Sequence, residues 1–412
     1  MALITIFLLI TTSLFLLSKV GMDLSIFSNW QLISQYVSLI GTVLLSLSFI
    51  LGSRAKFLEK IFGGLDKVVK MHHIIGGIAF VLLLHHPLFL VFSVLPNFKL
   101  ATQYVFLSSQ LSYNPGVIAL YLMLLLLFLT MVIRLPYQIW IKTHDFFGLV
   151  LFFASLHIFL ITSDVSRYLP LRIWMFINLA IGLFFYIYKV FLYKWFSQSY
   201  KYRIERINQI NNIVEIYLSP QGKSMSFVAG QFAFVKFEQS GFSESHPFSI
   251  SCSPTDVGLR FSIKNLGDFT SQLTKLGVGT LATVTGPYGD FGREFFAKKN
   301  VVCIAGGIGV SPFVGMIGQE IVNPIGRKIK FFYLSKDLTN PIYGDFFAKA
   351  NNTLTNFEYF YNEKNIFSHI DNVLEYLYFL CGPSSMMHSY EAQLRAKGVP
   401  ASNIIFEEFN FK

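Results

Sequence analysis

The chain has 412 residues, 53% of them hydrophobic and only 14% charged, with a formal net charge of +10. That length exceeds one ordinary domain, and that hydrophobic content excludes an ordinary soluble protein. The basic surplus does not indicate nucleic acid, because the lysines and arginines stand beside apolar segments or are dispersed, which suits membrane orientation and attraction of anionic cofactors.

Six apolar stretches, at about 2–18, 31–52, 72–95, 115–133, 144–163 and 170–193, approach or exceed the roughly 20 residues that span a bilayer as a helix. The first lacks a basic start and a small-residue cleavage site, so it reads as a retained helix and not a signal peptide. Positive charge sets orientation. Arg54, Lys56, Lys60, Lys67 and Lys70 lie in one loop, Arg134 and Lys142 in another. Lys194, Lys201, Arg203 and Arg206 follow the last stretch. The alternate loops carry few such residues. Both termini, and everything after the last stretch, are therefore expected in the cytoplasm.

The run "KMHHIIGGIAFVLLLHHPLF" at 70–89 places four histidines in apolar surroundings, where ionisable residues are rare and usually functional. His72 and His86 are 14 residues apart, nearly four whole turns, so they share one face about 21 Å apart along the axis. His144 and His157, on the fifth stretch, are 13 apart, which gives about 20 Å. Two helices offering imidazoles at two matching depths can hold two stacked haems, His72 with His144 inside and His86 with His157 outside. The 13-residue step is imperfect and requires a bend, a π-bulge or different rotamers. His73 with His86 remains an alternative pairing. Otherwise His73 and His85 are expected to bond backbone or haem propionates.

Beyond the last stretch the texture changes. "KYRIERI", "IVEIYLS", "QFAFVKF", "LRFSIK" and "LATVTG" alternate as strands of an antiparallel barrel or sandwich do. From about residue 297 buried strands alternate with helical stretches, a doubly wound α/β pattern. In "IKNLGDFTSQL", Gly267 permits close backbone approach and Thr270 begins a helix whose hydroxyl suits a pyrophosphate. "GPYGDFG" at 286–292 reads as a glycine-rich turn. "AGGIGVSPF" at 305–313 follows a strand directly, and Gly306, Gly307 and Gly309 would turn N–H groups toward a phosphate. "LCGPSSMM" at 380–387 is another strand end where a dinucleotide could sit. Cys252, Cys303 and Cys381 are far apart and show no CxxC spacing. That excludes a disulfide framework or thiolate metal site and fits a reducing compartment.

In this order the motifs resemble the NADPH oxidase and ferric reductase superfamily, most of all its prokaryotic NADPH oxidase homologues, and the resemblance covers nearly the whole chain. It implies a multi-domain membrane protein with a six-helix transmembrane bundle at 1–195. An antiparallel β-barrel flavin domain at 196–295 and an α/β nucleotide-binding domain at 296–412 would follow. It further implies that His246, Pro247, Phe248 and Ser249 contact FAD, with Ser249 near the flavin ring. Gly267, Asp268, Phe269 and Thr270 correspond to the flavin pyrophosphate turn. Gly286, Pro287, Tyr288 and Gly289 correspond to a nicotinamide-side turn. Gly306, Gly307, Gly309, Ser311 and Pro312 correspond to the nucleotide phosphate loop, and Cys381, Gly382 and Pro383 to the segment beside the nicotinamide. Lys336 stands where the family often has arginine for the 2′-phosphate, and a point charge discriminates less than a fork, so NADPH is expected and NADH possible. Phe411, or alternatively Phe409, would stack on the flavin. Relatives often carry a further histidine at the position of Leu90; His85 or Arg172 could substitute for it.

The implied activity is electron transfer from cytosolic NADPH through FAD and two b-type haems to oxygen outside the plasma membrane, giving superoxide. The expected partners are NADPH, oxygen and the bilayer, without nucleic acid and without an obligatory protein activator. A ferric or cupric chelate reductase with the same wiring is the nearest alternative. A non-catalytic haem-based sensor or transporter is the alternative of another class.

Overall fold

A backbone in lipid has no water to bond, so long apolar runs are confined to helices. The computed structural model describes residues 2–23, 25, 27–133, 135–297, 299–336 and 341–407. The chain divides into two units, Met1–Leu58 with Lys67–Phe196, and Glu59–Asp66 with Ser197–Lys412.

The helical part runs α1 (Ala2–Leu17), α2 (Asn29–Gly52), α3 (Lys56–Phe62), α4 (Leu65–Val94), α5 (Phe98–Thr102), α6 (Asn114–Leu127), α7 (Tyr137–Asp145), α8 (Phe147–Leu160), α9 (Asp164–Arg167), α10 (Leu169–Ile187) and α11 (Tyr193–Phe196). Among the described residues five helices are long and apolar enough to cross a bilayer: Asn29–Gly52, Leu65–Val94, Asn114–Val132, Gln138–Leu160 and Leu169–Phe196. α1 is apolar but has only 16 residues, short of the roughly 20 that a span takes. Five of the six expected spans thus meet that length among the described residues, and the first expected stretch is a shorter apolar helix. Ile74, Ile78, Val81, Phe152 and Phe159 are exposed, as side chains facing lipid would be. Small residues let the helices approach. A Cβ on Gly41 would lie 2.9 Å from Leu83 Cγ, and one on Gly182 3.1 Å from Ser46 Cβ.

The fifth expected stretch departs from a single helix over 144–163. It reaches back to Tyr137 and is interrupted at Phe146, whose N–H turns to the Thr143 and His144 carbonyls. The interruption falls between His144 and His157, where the 13-residue spacing predicts a distortion.

In the second unit β1 (Ser199–Ile210), β2 (Ile213–Pro220), β3 (Phe232–Phe237), β4 (His246–Ser249), β5 (Leu259–Lys264) and β6 (Leu281–Tyr288) form one sheet in the order β4-β3-β6-β1-β2-β5. All its pairings are antiparallel. β6 alternates between half-buried and buried along its length, the period of a strand with one face in a core. Tyr202, Ile216, Val235, Phe261 and Val284 fill that core. Beyond the ends of the order, one isolated bridge joins Ile250 to Phe261.

The second sheet is parallel. β7 (Asn300–Gly306), α12 (Ser311–Val322), β8 (Ile329–Leu334), α13 (Gly344–Thr353), β9 (Phe357–Tyr361), β10 (Tyr376–Cys381), α14 (Ser384–Ala396) and β11 (Ile404–Glu407) follow in sequence. Their strands lie in the order β11-β10-β7-β8-β9. β10 is buried throughout, as expected of a parallel strand covered on both faces. One core gathers around Phe313, Phe331 and Phe379, the other around Val302, Tyr378 and Leu394. The chain builds outward from β7 to β9 and then returns to the other side of β7. The strand order therefore reverses between β7 and β10, the place where folds of this kind bind nucleotides.

Tyr343 ties the two sheets. Its φ is +61°, a left-handed conformation that costs a bulky residue about 1–2 kcal/mol. Its phenol reaches Glu215 of β2 and Ser262 of β5. Tyr217 also donates to the Glu215 carboxylate, at 3.2 Å. A carboxylate left unsatisfied there would cost more than the strain.

Candidate functional site

Four histidines of the first unit share one pattern with a single exception. His72 Nδ1 lies 2.9 Å from the Ser48 carbonyl and 3.0 Å from its hydroxyl. His86 Nδ1 lies 3.1 Å from the Ser34 carbonyl and 2.7 Å from its hydroxyl. His157 Nδ1 lies 3.0 Å from the Ser112 carbonyl. A carbonyl can only accept, so each Nδ1 carries the proton and each Nε2 keeps its lone pair. A backbone oxygen behind a ligating imidazole is the usual means of fixing its tautomer. The exception is His144, whose buried Nδ1 has no hydrogen-bond partner. Its ring instead stacks on Trp140 at 5.4 Å and 17°, and it faces His72 at 5.9 Å between centroids.

The donor set fits haem. Among the described residues no group of three or more His, Cys, Asp or Glu could hold an ion unaided. A porphyrin brings its own four nitrogens and takes only axial ligands from the protein. His86 and His157 line one cavity of about 240 Å³, with Leu83, Met123 and Val150 on its apolar wall and Leu90 also on the lining. A Cβ on Gly116 would lie 3.0 Å from the His157 ring, so only glycine leaves that imidazole its place. His85 turns Nδ1 to the Val81 carbonyl of its own helix at 2.7 Å, and His73 is exposed. Arg172 gives Nε to the Val165 carbonyl at 3.1 Å.

In the second unit the glycine loops after β7 and β10 meet at the reversal of strand order. A Cβ on Gly309 would lie 2.3 Å from the Cys381 carbonyl oxygen and 2.7 Å from the Gly382 nitrogen. One on Gly306 would lie 2.8 Å from Pro383 Cδ. Gly307 turns the chain at φ +56°, and Ser311 and Pro312 open α12 beyond it. That arrangement, backbone amides at the start of a helix beside a strand crevice, suits a dinucleotide phosphate. Lys336 is exposed just past β8. Burial pushes the Cys381 thiol well up, so it stays protonated, and all three cysteines are free and buried.

The flavin motifs also converge. His246, Pro247, Phe248 and Ser249 form β4. The His246 ring lies 3.9 Å from that of Phe269 between centroids, which brings the Gly267–Thr270 turn to the strand. His246 Nε2 is 2.8 Å from Glu244 Oε2. Two expectations change. Thr270 begins a six-residue 3-10 helix, and its hydroxyl accepts the N–H groups of Leu266 and Gly267 at 2.9 and 3.0 Å. The same hydroxyl donates to the Gly267 carbonyl at 3.4 Å, so it braces the turn and is not the open donor that a pyrophosphate would take. Gly286, Pro287 and Tyr288 belong to the end of β6, and the turn starts at Gly289. Phe409 and Phe411 lie outside the described residues.

One residue of this site has no sequence signal. Glu407 ends β11 directly opposite Cys381. It is buried at 3% exposure, its Oε2 has no hydrogen-bond partner, and a Cβ on Gly289 would lie 3.0 Å from its Oε1. Burial holds its carboxyl well above the usual range, so the folded chain keeps it neutral. A carboxyl raised in the folded state contributes no penalty below its unfolded pKa of about 4.3. Above that, stability falls as pH rises toward the folded pKa, by at most about 1.4 kcal/mol per pH unit. Glu407→Gln is neutral at every pH and should remove this slope. Calorimetry of the solubilised chain between about pH 5 and 9 checks it; a variant whose advantage does not grow with pH would refute the burial argument.

Residues 37–156 match the family described as ferric reductase like transmembrane component, and residues 184–290 match the FAD-binding domain family. Over 201 residues the chain is 26% identical to NADPH oxidase 1 of Mus musculus, covering 46% of this chain and 32% of that protein. The chain thus carries a ferric-reductase-like transmembrane segment followed by an FAD-binding segment. It is also 24% identical over 230 residues to a flavohemoprotein of Candida norvegensis, covering 52% of this chain and 58% of the relative. It thus spans only about half, or less, of the relatives it matches. A crystal structure of flavohemoglobin from Malassezia yamatoensis is similar in fold, with a TM-score of 0.53 and 18% identity over 93% of this chain and all of that one (100%). The chain therefore joins a membrane-type helical part to an FAD-binding domain and a fold of the nucleotide-binding kind.

Proposed function

We propose that the chain is a membrane NAD(P)H oxidase: an oxidoreductase that moves electrons from cytosolic NADPH, through FAD and two b-type haems, to oxygen on the far side, forming superoxide. The observation that carries the reading is the facing of His72 and His144 at 5.9 Å within a helical unit whose His86 and His157 line one cavity. When bound, these groups supply the conversion of a two-electron hydride donor into single electrons for iron.

The chain's own residues do the rest. His72 and His144 would hold one iron, His86 and His157 the other. The carbonyls of Ser48, Ser34 and Ser112 keep three of these imidazoles in the tautomer that offers Nε2. With two imidazoles for each haem, the protein would leave the metal no vacancy for oxygen, which would take its electron without binding iron. β4 and the Gly267–Thr270 turn hold FAD, with Ser249 at the flavin ring and Phe411 or Phe409 against it. The Gly306–Pro312 loop and Cys381–Pro383 hold the nucleotide. The protonated Cys381 thiol orients the nicotinamide and does not attack it. Gly286–Gly289 borders the same crevice, and Lys336 favours a 2′-phosphate while tolerating its absence.

Basic residues such as Arg54, Lys67 and Lys142 support a cytoplasmic second unit, with the helical unit in the plasma membrane. α1 serves as the sixth helix of the bundle, the antiparallel sheet as a flavin barrel at 196–295, and residues 296–412 as the nucleotide domain. No protein activator is required.

Ferric or cupric chelate reduction is the second reading, favoured by the match of residues 37–156. Anaerobic addition of NADPH to membranes should produce a reduced bis-imidazole haem spectrum, and admitted oxygen should reverse it. Cytochrome c reduction sensitive to superoxide dismutase supports oxygen as acceptor. Faster turnover with ferric chelate, with no effect of the dismutase, would transfer the assignment to the reductase. Absence of NADPH oxidation would leave only the sensor or transporter reading.

A further inference from the structure

The segment between α4 and α6 carries apolar side chains that the chain leaves uncovered. Phe98, Phe106, Leu107 and Leu111 are each between 58% and 75% exposed. Lys99 is the one charged residue from Pro96 to Asn114. A loop bathed in water would not pair so much exposed apolar surface with so little charge, and such surface marks contact with a membrane or another molecule. Its backbone suits a drier place as well. The N–H groups of Val105 and Phe106 donate to the Thr102 carbonyl at 3.3 and 2.8 Å, and that of Tyr113 to the Gln110 carbonyl at 3.0 Å. Ser108 N–H donates to Asn114 Oδ1 at 2.9 Å, and Asn114 Nδ2 returns a bond to the Ser108 carbonyl at 3.0 Å. Backbone close to lipid needs such internal partners.

Neighbouring residues set the depth of this loop. Trp30, itself exposed, stacks on Phe89 at 5.6 Å and lies 5.5 Å from Phe92, both in the last turns of α4. Tryptophan gathers where a membrane meets water. From there the chain runs on through exposed Leu95 to Phe98. Tyr121 follows Asn114, the first residue of α6, by seven, roughly 10 Å along the axis. Its hydroxyl donates to the Val105 carbonyl at 3.0 Å, so the loop lies beside the opening turns of α6 and not beyond its end. The same segment reaches the cavity that His86 and His157 line. Tyr104 and Tyr113 are on its wall, their rings 5.4 Å apart, and the Ser112 carbonyl holds His157 Nδ1.

We propose that residues 96–114 form a lipid-anchored cap. Phe98, Phe106, Leu107 and Leu111 rest among the headgroups and upper acyl chains of outer-leaflet phospholipid, as apolar side chains of interfacial segments do. Lipid is the occupant because these side chains continue an exposed apolar surface along α4 through Leu95, Phe92 and Leu88, which a bilayer covers along its whole length. Phospholipid bound there holds Tyr104, Tyr113 and the Ser112 carbonyl in place at the His157 end of the cavity. The inference rests on the membrane orientation and the haem reading proposed above.

Cys252, Cys303 and Cys381 are all buried, so an added surface cysteine takes a maleimide dye selectively. Leu107→Cys and Leu111→Cys, with Lys223→Cys on the second unit as the water standard, are labelled with NBD in the full-length chain. Each is placed in phosphatidylcholine nanodiscs. Both loop labels should lose emission to a lipid carrying a nitroxide near its headgroup and be shielded from iodide, the reverse of the Lys223→Cys label. Loop labels quenched by iodide and spared by the nitroxide lipid overturn the inference. Labels spared by both quenchers, with energy transfer between chains, assign the surface to a second copy and overturn it too. The second arm reads the cavity. In nanodiscs the triple variant Phe106→Ser, Leu107→Ser, Leu111→Ser should pass one of its two haems to apomyoglobin roughly tenfold faster than wild type, equivalent to about 1.4 kcal/mol, while the other haem leaves at the wild-type rate. Unchanged release of both overturns the coupling to the cavity. If that variant does not accumulate, wild type stripped of phospholipid decides: added phosphatidylcholine should slow release of one haem, and no effect overturns the coupling. Loop labels in lipid on a chain without a bis-imidazole spectrum would sink the haem reading and leave the lipid contact standing.

Discussion

His72→Ala is expected to lose one of two haems, about half of the Soret absorbance, and with it all delivery of electrons from NADPH to oxygen. The imidazole cannot be replaced from nearby. His73 is exposed on the same helix, and its ring centroid lies 5.8 Å from that of His72. His72 alone has its Nδ1 secured by Ser48 and its ring facing His144. His144→Ala should give the same loss, because both variants leave one iron with a single protein ligand. Ser48→Ala should not, since the carbonyl behind Nδ1 belongs to the backbone and survives the substitution. A pyridine haemochrome assay of purified protein reads the haem-to-chain ratio directly. The pairing is wrong if His73→Ala loses haem while His72→Ala keeps both.

The histidines were legible because a polar residue in an apolar run is conspicuous and a 14-residue step is nearly whole turns. What secures them was not. Ser34 and Ser48 are themselves 14 apart on α2, matching His86 and His72 on α4, but serines are ordinary in such helices and carry no signal alone. The 13-residue step from His144 to His157 demanded a distortion without locating it. Phe146 is neither glycine nor proline, so only the path of the backbone reveals the break. The first stretch is less decisive for a simpler reason: α1 is apolar but, at 16 residues, shorter than the other five.

In the second unit the glycine loops could be placed on strand ends from local pattern, and the structure puts them side by side. Their meeting depends on the order of strands, which no local pattern states. Thr270 shows the converse. A threonine at a helix start reads equally as an open hydroxyl or a brace, and two amides and a carbonyl of its own turn decide for the brace. Glu407 was invisible because an acid at a strand end usually faces water. Its burial follows from Cys381 and Gly289, which are distant in sequence.

Gly309→Ala is expected to abolish reduction by NADPH while leaving haem and FAD in place. The added methyl would stand 2.3 Å from the Cys381 carbonyl oxygen, and backbone in a buried parallel strand cannot swing aside as a side chain can. Relief requires the loops after β7 and β10 to part, and those loops are the two walls of the proposed nucleotide crevice. Affinity for the nucleotide should fall roughly a hundredfold, equivalent to about 2.7 kcal/mol. Gly307→Ala is the control. Its methyl would meet nothing within 4 Å, but the residue sits at φ +56°, so the penalty is only backbone strain of about 1 kcal/mol and a roughly fivefold loss. Titration of flavin fluorescence with NADP⁺ gives both affinities, and anaerobic flavin bleaching by NADPH gives the functional consequence. If Gly309→Ala binds as well as Gly307→Ala, the crevice between β7 and β10 is not where the nucleotide lies, and the electron donor must enter the chain elsewhere.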